Sequence, residues 1–94
     1  MLRITANLEN RQTIRLRLDG SISDETLIEL NRAIAESRNS AKHTVILDMA
    51  GVNFMNDHAA HELVKIRDDR LLLVNCSPFI ATLLDMITET ENQR

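Results

Sequence analysis

Aromatic residues are nearly missing from this 94-residue chain: Phe54 and Phe79 stand alone, with no tryptophan and no tyrosine. Stacking platforms for sugars or single-stranded nucleic acid are hard to build without them, so aliphatic side chains must fill the interior. Cysteine occurs once, as Cys76, which excludes an internal disulfide; its apolar surroundings predict a buried, inert thiol. With two glycines and a single proline, the chain is not low-complexity. No apolar run approaches the roughly 18 residues of a membrane-spanning helix, which argues against direct membrane insertion. The polar start MLRITANLENR does not read as a signal peptide. A concentrated basic face is missing too: 11 Lys and Arg are interspersed with 14 Asp and Glu, for a net charge of −3. Phosphate backbones need such a face, so nucleic acid is not expected as the main partner. A reducing cytoplasm fits the single thiol.

What remains is an aliphatic-rich chain, 44% hydrophobic, long enough for one domain and too short for a second core. Period separates its strands from its helices. Leu2, Ile4 and Ala6 alternate with Arg3 and Thr5, and Ile14, Leu16 and Leu18 alternate with Arg15 and Arg17. The polar cluster Glu9-Asn10-Arg11 between them predicts an antiparallel pair, which Asp19-Gly20 ends with turn chemistry. Ser23 reads as an N-cap whose hydroxyl accepts from free backbone amides, with Asp24 and Glu25 well placed in the first turn. Leu27, Leu30 and Ile34 then predict a helix from Asp24 to about Ser37.

A polar loop over 39–43 leads to Thr44–Met49, TVILDM, nearly continuous in apolar character like an interior strand covered on its faces. After a second helix, Leu71–Cys76 reads as another interior strand. Ser77-Pro78 opens a third helix, with Ile80, Leu83, Leu84 and Ile87 on its core face. The order β-β-α-β-α-β-α predicts an α/β fold: a single mixed sheet of about four strands with three helices packed on it. One domain is expected over residues 1–88, with a frayed, flexible tail over 89–94.

The chemistry gathers at Val52–Leu63, VNFMNDHAAHEL, where a strand end meets the start of the second helix. At about 100° per residue, Ala59, Ala60, Leu63, Val64 and Ile66 share one side of that helix. Asp57, His58, His61, Glu62 and Lys65 share the other and are expected to face solvent. Asn56 and Asp57 are both able N-caps, and a carboxylate at this end gains ~0.3–1 kcal/mol from the helix macrodipole. His58 and His61, with Asp57 or Glu62 as a further donor, form one conceivable metal site, although the zinc protease signature spaces its histidines differently. Hydrolysis by His58 with Asp57 needs a nucleophile, and adjacent helical residues do not face each other. Capping and solvation account for the same residues, so no metal or cofactor is expected.

Three stretches in order, LRLDGSISDETLIEL, LDMAGVNFMNDHAA and NCSPFIATLLDM, resemble the STAS family, the sulfate transporter and anti-sigma factor antagonist domains. LRLDGSISDETLIEL is similar to the family's second strand and first helix, with Gly20 and Thr26 at recurrent positions. LDMAGVNFMNDHAA resembles the stretch usually written LDLSGVTFIDSSGL, matching at Leu47, Asp48, Gly51, Val52 and Phe54. NCSPFIATLLDM resembles the last strand and following helix, with its Ser-Pro start. The resemblance implies a non-enzymatic protein-binding module of the anti-sigma factor antagonist type. Family members regulated by phosphorylation carry Asp-Ser-Ser-Gly at the junction, and a partner kinase phosphorylates the second serine. Here those positions read Asn56, Asp57, His58 and Ala59. His58 therefore occupies the phosphorylation-equivalent position, and the serine switch has no hydroxyl there. Asp57 offers a fixed negative charge beside it, smaller than the roughly −1.5 to −2 of a phosphate. The second helix reads short by about a turn and a half, and little follows the third.

The implied partners are an anti-sigma factor kinase, a signalling complex or a transporter subunit. The expected binding surface is the start of the second helix (Asn56, Asp57, His58, His61, Glu62) with the loop before the first helix (Asp19, Ser21, Ser23). Ser21 and Ser23 are also alternative hydroxyls for modification. Two other classes stay open: a small metal-binding or hydrolytic protein using His58 and His61, and a self-associating scaffold, such as a homodimer, pairing through an outer strand edge. Asp48 reads as a cap for a turn amide at its strand's edge, and Arg15 and Arg17 as a solvated sheet face. Met49, Met55 and Met86 read as core filling, and His43 as a loop residue without a motif.

Overall fold

Seven elements follow the predicted order: β1 Leu2–Leu8, β2 Thr13–Ile22, α1 Asp24–Asn39, β3 Thr44–Met55, α2 Asp57–Ile66, β4 Leu71–Val74 and α3 Pro78–Asn92. They belong to a computed structural model that describes residues 1–39 and 44–92, without the side chains of 90–92. The strands form one sheet in the order β1-β2-β3-β4. β1 pairs antiparallel with β2, while β2 with β3 and β3 with β4 pair parallel. The predicted mixed sheet is therefore present. Most of the expected 39–43 loop, His43 included, lies outside the described residues. α3 carries the helix through residues 89–92, and the end of the expected tail lies outside the described residues as well.

Alternation along the strands divides the sheet into a dry face and a wet one. Leu16 and Leu18, Val45, Leu47 and Met49, and Leu71 are buried on the dry side. The strand order advances from β2 to β3 to β4 in one direction, and crossovers of a single hand put their helices on the same side. This corrects the reading of TVILDM as covered on both faces. Its burial alternates, with Thr44, Ile46 and Asp48 only half-buried on the open side. Leu27, Leu30 and Ile34 of α1, Ala59, Ala60 and Leu63 of α2, and Ile80, Leu84 and Ile87 of α3 close the core. Met49 and Met55 belong to it, but Met86 does not; it points outward from α3, 61% exposed.

β2 does not end at Asp19-Gly20. Gly20 takes φ of +120°, and the pairing with β3 shifts register on either side of it. A Cβ there would lie 2.2 Å from the Met1 carbonyl oxygen, a space only glycine leaves open. The irregularity bends the strand instead of stopping it, and β3 runs correspondingly past Met49 to Met55. β4 is shorter than expected because Asn75 adopts φ of 58°, a left-handed conformation that asparagine tolerates. Cys76 beyond it is half-buried, and desolvation pushes its thiol pKa up.

On the open face, Arg15 is not merely solvated. It bonds to Glu9, and its Nη1 donates to Asp48 Oδ2 at 2.9 Å. Asp48 Oδ1 accepts from the Ala50 amide at 3.1 Å, the expected turn cap, and from Asn75 Nδ2 at 3.1 Å. Asp48 does this from within β3, between two paired neighbours, not from a sheet edge. Arg17 is exposed, 3.5 Å from Asp19 Oδ2.

Candidate functional site

Parallel pairing brings the C-terminal ends of β2 and β3 together. Ser21 lies opposite Phe54, Ile22 opposite Met55, and the Asn56 amide donates to the Ile22 carbonyl at 3.1 Å. The junctions leading into α1 and α2 are therefore neighbours. Asn56, in the β region at φ −84° and ψ 168°, is the N-cap of α2; its Oδ1 accepts from the Ala59 amide at 2.9 Å. Asp57 is the first helical residue and is exposed.

The organising group is Asp24, the first residue of α1. Its Oδ1 accepts from Asn56 Nδ2 at 3.0 Å and stands 3.0 Å from His58 Nδ1. These hydrogen bonds, that from Asn56 foremost, hold the Asp24 carboxyl below the usual carboxylate range. On the other edge of the imidazole, His58 Nε2 lies 3.5 Å from Glu62 Oε1. The two carboxylates face opposite ring nitrogens, so one ion cannot engage His58 together with both. Among the described residues no group of three or more His, Cys, Asp or Glu is arranged to hold a metal.

His61 and Glu62 are half-buried, not freely solvated as expected, because α2 packs between α1 and α3. On the α1 side, Ser21 Oγ donates to Asn53 Oδ1 at 3.2 Å. Ser23 is not the accepting cap. The contact runs in reverse: its amide donates to Thr26 Oγ1 at 2.8 Å, and that hydroxyl donates onward to the Ser21 carbonyl at 2.9 Å. Thr26 thus performs the back-reaching half of a capping box. Asn56 and His58 meet at Asp24, Glu62 joins them through His58, and Ser21 and Ser23 precede Asp24 at the β2–α1 junction. Asp19 stands back along β2, opposite Gly51.

Sequence reasoning missed an apolar wall on the far side of the junction. A cleft of about 530 Å³ is lined by Phe54, Met55, Asn56, Asp57, His58, Phe79 and Leu83. Both aromatics of the chain are here and both are exposed, Phe54 by 48% and Phe79 by 57%. Each stands two positions from a helix cap, Phe54 before Asn56 and Phe79 after Ser77, where the chain turns away from the core.

A family profile described as STAS domain matches residues 5–91 of this sequence. The chain belongs to the STAS domain family. The structure is similar to a solved one described as the anti-sigma factor antagonist SpoIIAA in its unphosphorylated form. The TM-score is 0.64, at 19% identity over 89% of this chain and 83% of that one, a likeness of fold. A search of curated proteins finds no match to the sequence. No helix of this STAS domain, among the described residues, is long and apolar enough to cross a membrane.

Proposed function

We propose that this STAS domain is a non-enzymatic, cytoplasmic protein-binding module of the anti-sigma factor antagonist type. It acts on a signalling or transporter partner: an anti-sigma factor kinase, a signalling complex or a transporter subunit. The observation that supports this reading is the start of α2. Asn56 and His58 are held by one carboxylate, Asp24, on an exposed ledge at the meeting point of two strand ends. Such a ledge is preorganised, so little side-chain entropy is lost when a partner meets it. Catalysis is disfavoured because the hydroxyls of this junction, Ser21, Ser23 and Thr26, bond to Asn53, to one another and to backbone, not to an imidazole. The usual serine switch is replaced by His58, with Asp57 supplying a permanent negative charge beside it.

The test is affinity capture of partners from an extract of the source cells by the wild type, Asp57→Ser and His58→Ala. Both side chains are exposed, so the fold should survive. The variants are expected to lose or exchange captured proteins while still melting cooperatively as folded domains. An unchanged set of partners would reduce the junction to a helix start.

A further inference from the structure

The apolar cleft beside this ledge continues along α3. A second concavity of about 380 Å³, lined by Phe79, Leu83 and Met86 among others, shares Phe79 and Leu83 with the first. Phe79, Leu83 and Met86 recur at helical spacing and form a row about 10 Å long, two turns of helix. With Phe54 at its mouth, the row contains three of the most exposed large apolar side chains of the protein, Phe54, Phe79 and Met86. No Lys or Arg lines either concavity, and Arg67 reaches α3 at Thr88, which lines neither. The charged residues of α3 up to position 89, Asp85 and Glu89, are both acidic. Asp57 closes the opposite end.

We infer that this groove receives an amphipathic helix of the partner protein, its apolar residues lying along Phe79, Leu83 and Met86 and its flanks bearing Lys or Arg. The inference rests on the protein-binding reading above and specifies what is bound. A two-turn apolar row matches the i, i+3, i+4 and i+7 anchors of a helix laid in a groove. Asp57 in the lining, with Asp85 and Glu89 on the same helix as the row, favours basic flanks and disfavours an anionic surface. Exposed apolar patches of this kind mark interaction sites in otherwise polar surfaces.

The test uses the full chain and a labelled synthetic peptide with leucine on one helical face and lysine on the other, titrated by fluorescence anisotropy. A second peptide has glutamate in place of every lysine. The lysine peptide is expected to bind about tenfold or more tightly than the glutamate peptide. Phe79→Ala and Met86→Ala should each weaken it by about tenfold, whereas Leu8→Ala, exposed at the opposite end of the sheet, should not. Circular dichroism melts check that the variants fold. Equal affinity for the two peptides, no binding, or indifference to Phe79→Ala and Met86→Ala overturns the groove. A dimer of this chain that Phe79→Ala abolishes would give the groove to a second copy and overturn it equally. If the groove fails while Asp57→Ser and His58→Ala still alter partner capture, the binding-module reading stands. If those variants also change nothing, both fall.

Discussion

Asp24 and His58 are 34 positions apart in the chain, yet Asp24 Oδ1 lies 3.0 Å from His58 Nδ1. The same oxygen accepts from Asn56, so a single carboxylate fastens the start of α1 to the start of α2. The contact exists because β2 and β3 are parallel and end side by side. It gives the exposed junction a defined shape.

Acid should loosen that fastening. Asp24 is held below the ordinary carboxylate range by Asn56 and then His58, and Asp48 by Asn75, Ala50 and Arg15. A depressed folded pKa contributes stability that is fully present above the unfolded value, about 3.9, and is lost as pH falls through the folded value. Thermal melts across the acid range should therefore show a steep decline below about pH 4. Asp24→Asn and Asp48→Asn should each flatten it. An unchanged acid slope in both variants would mean that these bonds do not persist in solution.

The two sides of α2 should respond differently to truncation. Leu63 is fully buried, and Leu63→Ala should cost ~2–5 kcal/mol through the cavity it leaves. Asn56→Ala removes the side chain that caps Ala59 and should cost ~0.5–2 kcal/mol. Asp57→Ser touches neither the core nor the cap, loses only the macrodipole interaction, and should stay within about 1 kcal/mol of wild type. Urea unfolding ranks the three, and a costly Asp57→Ser would contradict the assignment of the cap to Asn56.

Gly20→Ala should destabilise by at least ~1–3 kcal/mol, the expense of holding a side chain at a glycine-only backbone conformation. The obstructing atom is the backbone oxygen of Met1, 2.2 Å from the added carbon, and cannot swing aside. The urea midpoint should drop accordingly. A neutral result would show that β1 and β2 part easily at this end.

Phosphorylation assays with a cognate kinase should yield no acid-stable phosphate between residues 52 and 63, because VNFMNDHAAHEL contains no hydroxyl. Label surviving acid within that segment would refute this. Label on Ser21 or Ser23 would move the switch to the β2–α1 junction, and acid-labile label would point to His58 or His61.

Much of this protein was legible from short-range pattern. Leu16 and Leu18 alternating with Arg15 and Arg17, Leu27, Leu30 and Ile34 at helical spacing, and the Ser77-Pro78 helix start each depend on a few neighbouring residues. Element order and the sheet's mixed character followed from them. The apolar side of α2 followed too, since Ala59, Ala60 and Leu63 share one side of a helix whatever lies opposite. Errors fell where a local signal has two outcomes. Asp19-Gly20 suits a turn as well as a bent strand, and only the nearness of Met1 decides. A serine before a helix can accept a hydrogen bond or, as with Ser23, give its amide to Thr26.

The functional surface was half visible for the same reason. Asn56, Asp57 and His58 are contiguous and so stood out in the sequence. Asp24 as their shared partner did not, because nothing local links residues so far apart. Nothing in the local pattern of Phe54 and Phe79 tells inside from outside, and only packing shows them exposed. Hydrophobicity and period act on each segment alone and determine what it becomes. Which segments meet depends on strand order and the placement of every helix at once, and there the tertiary structure alone decides.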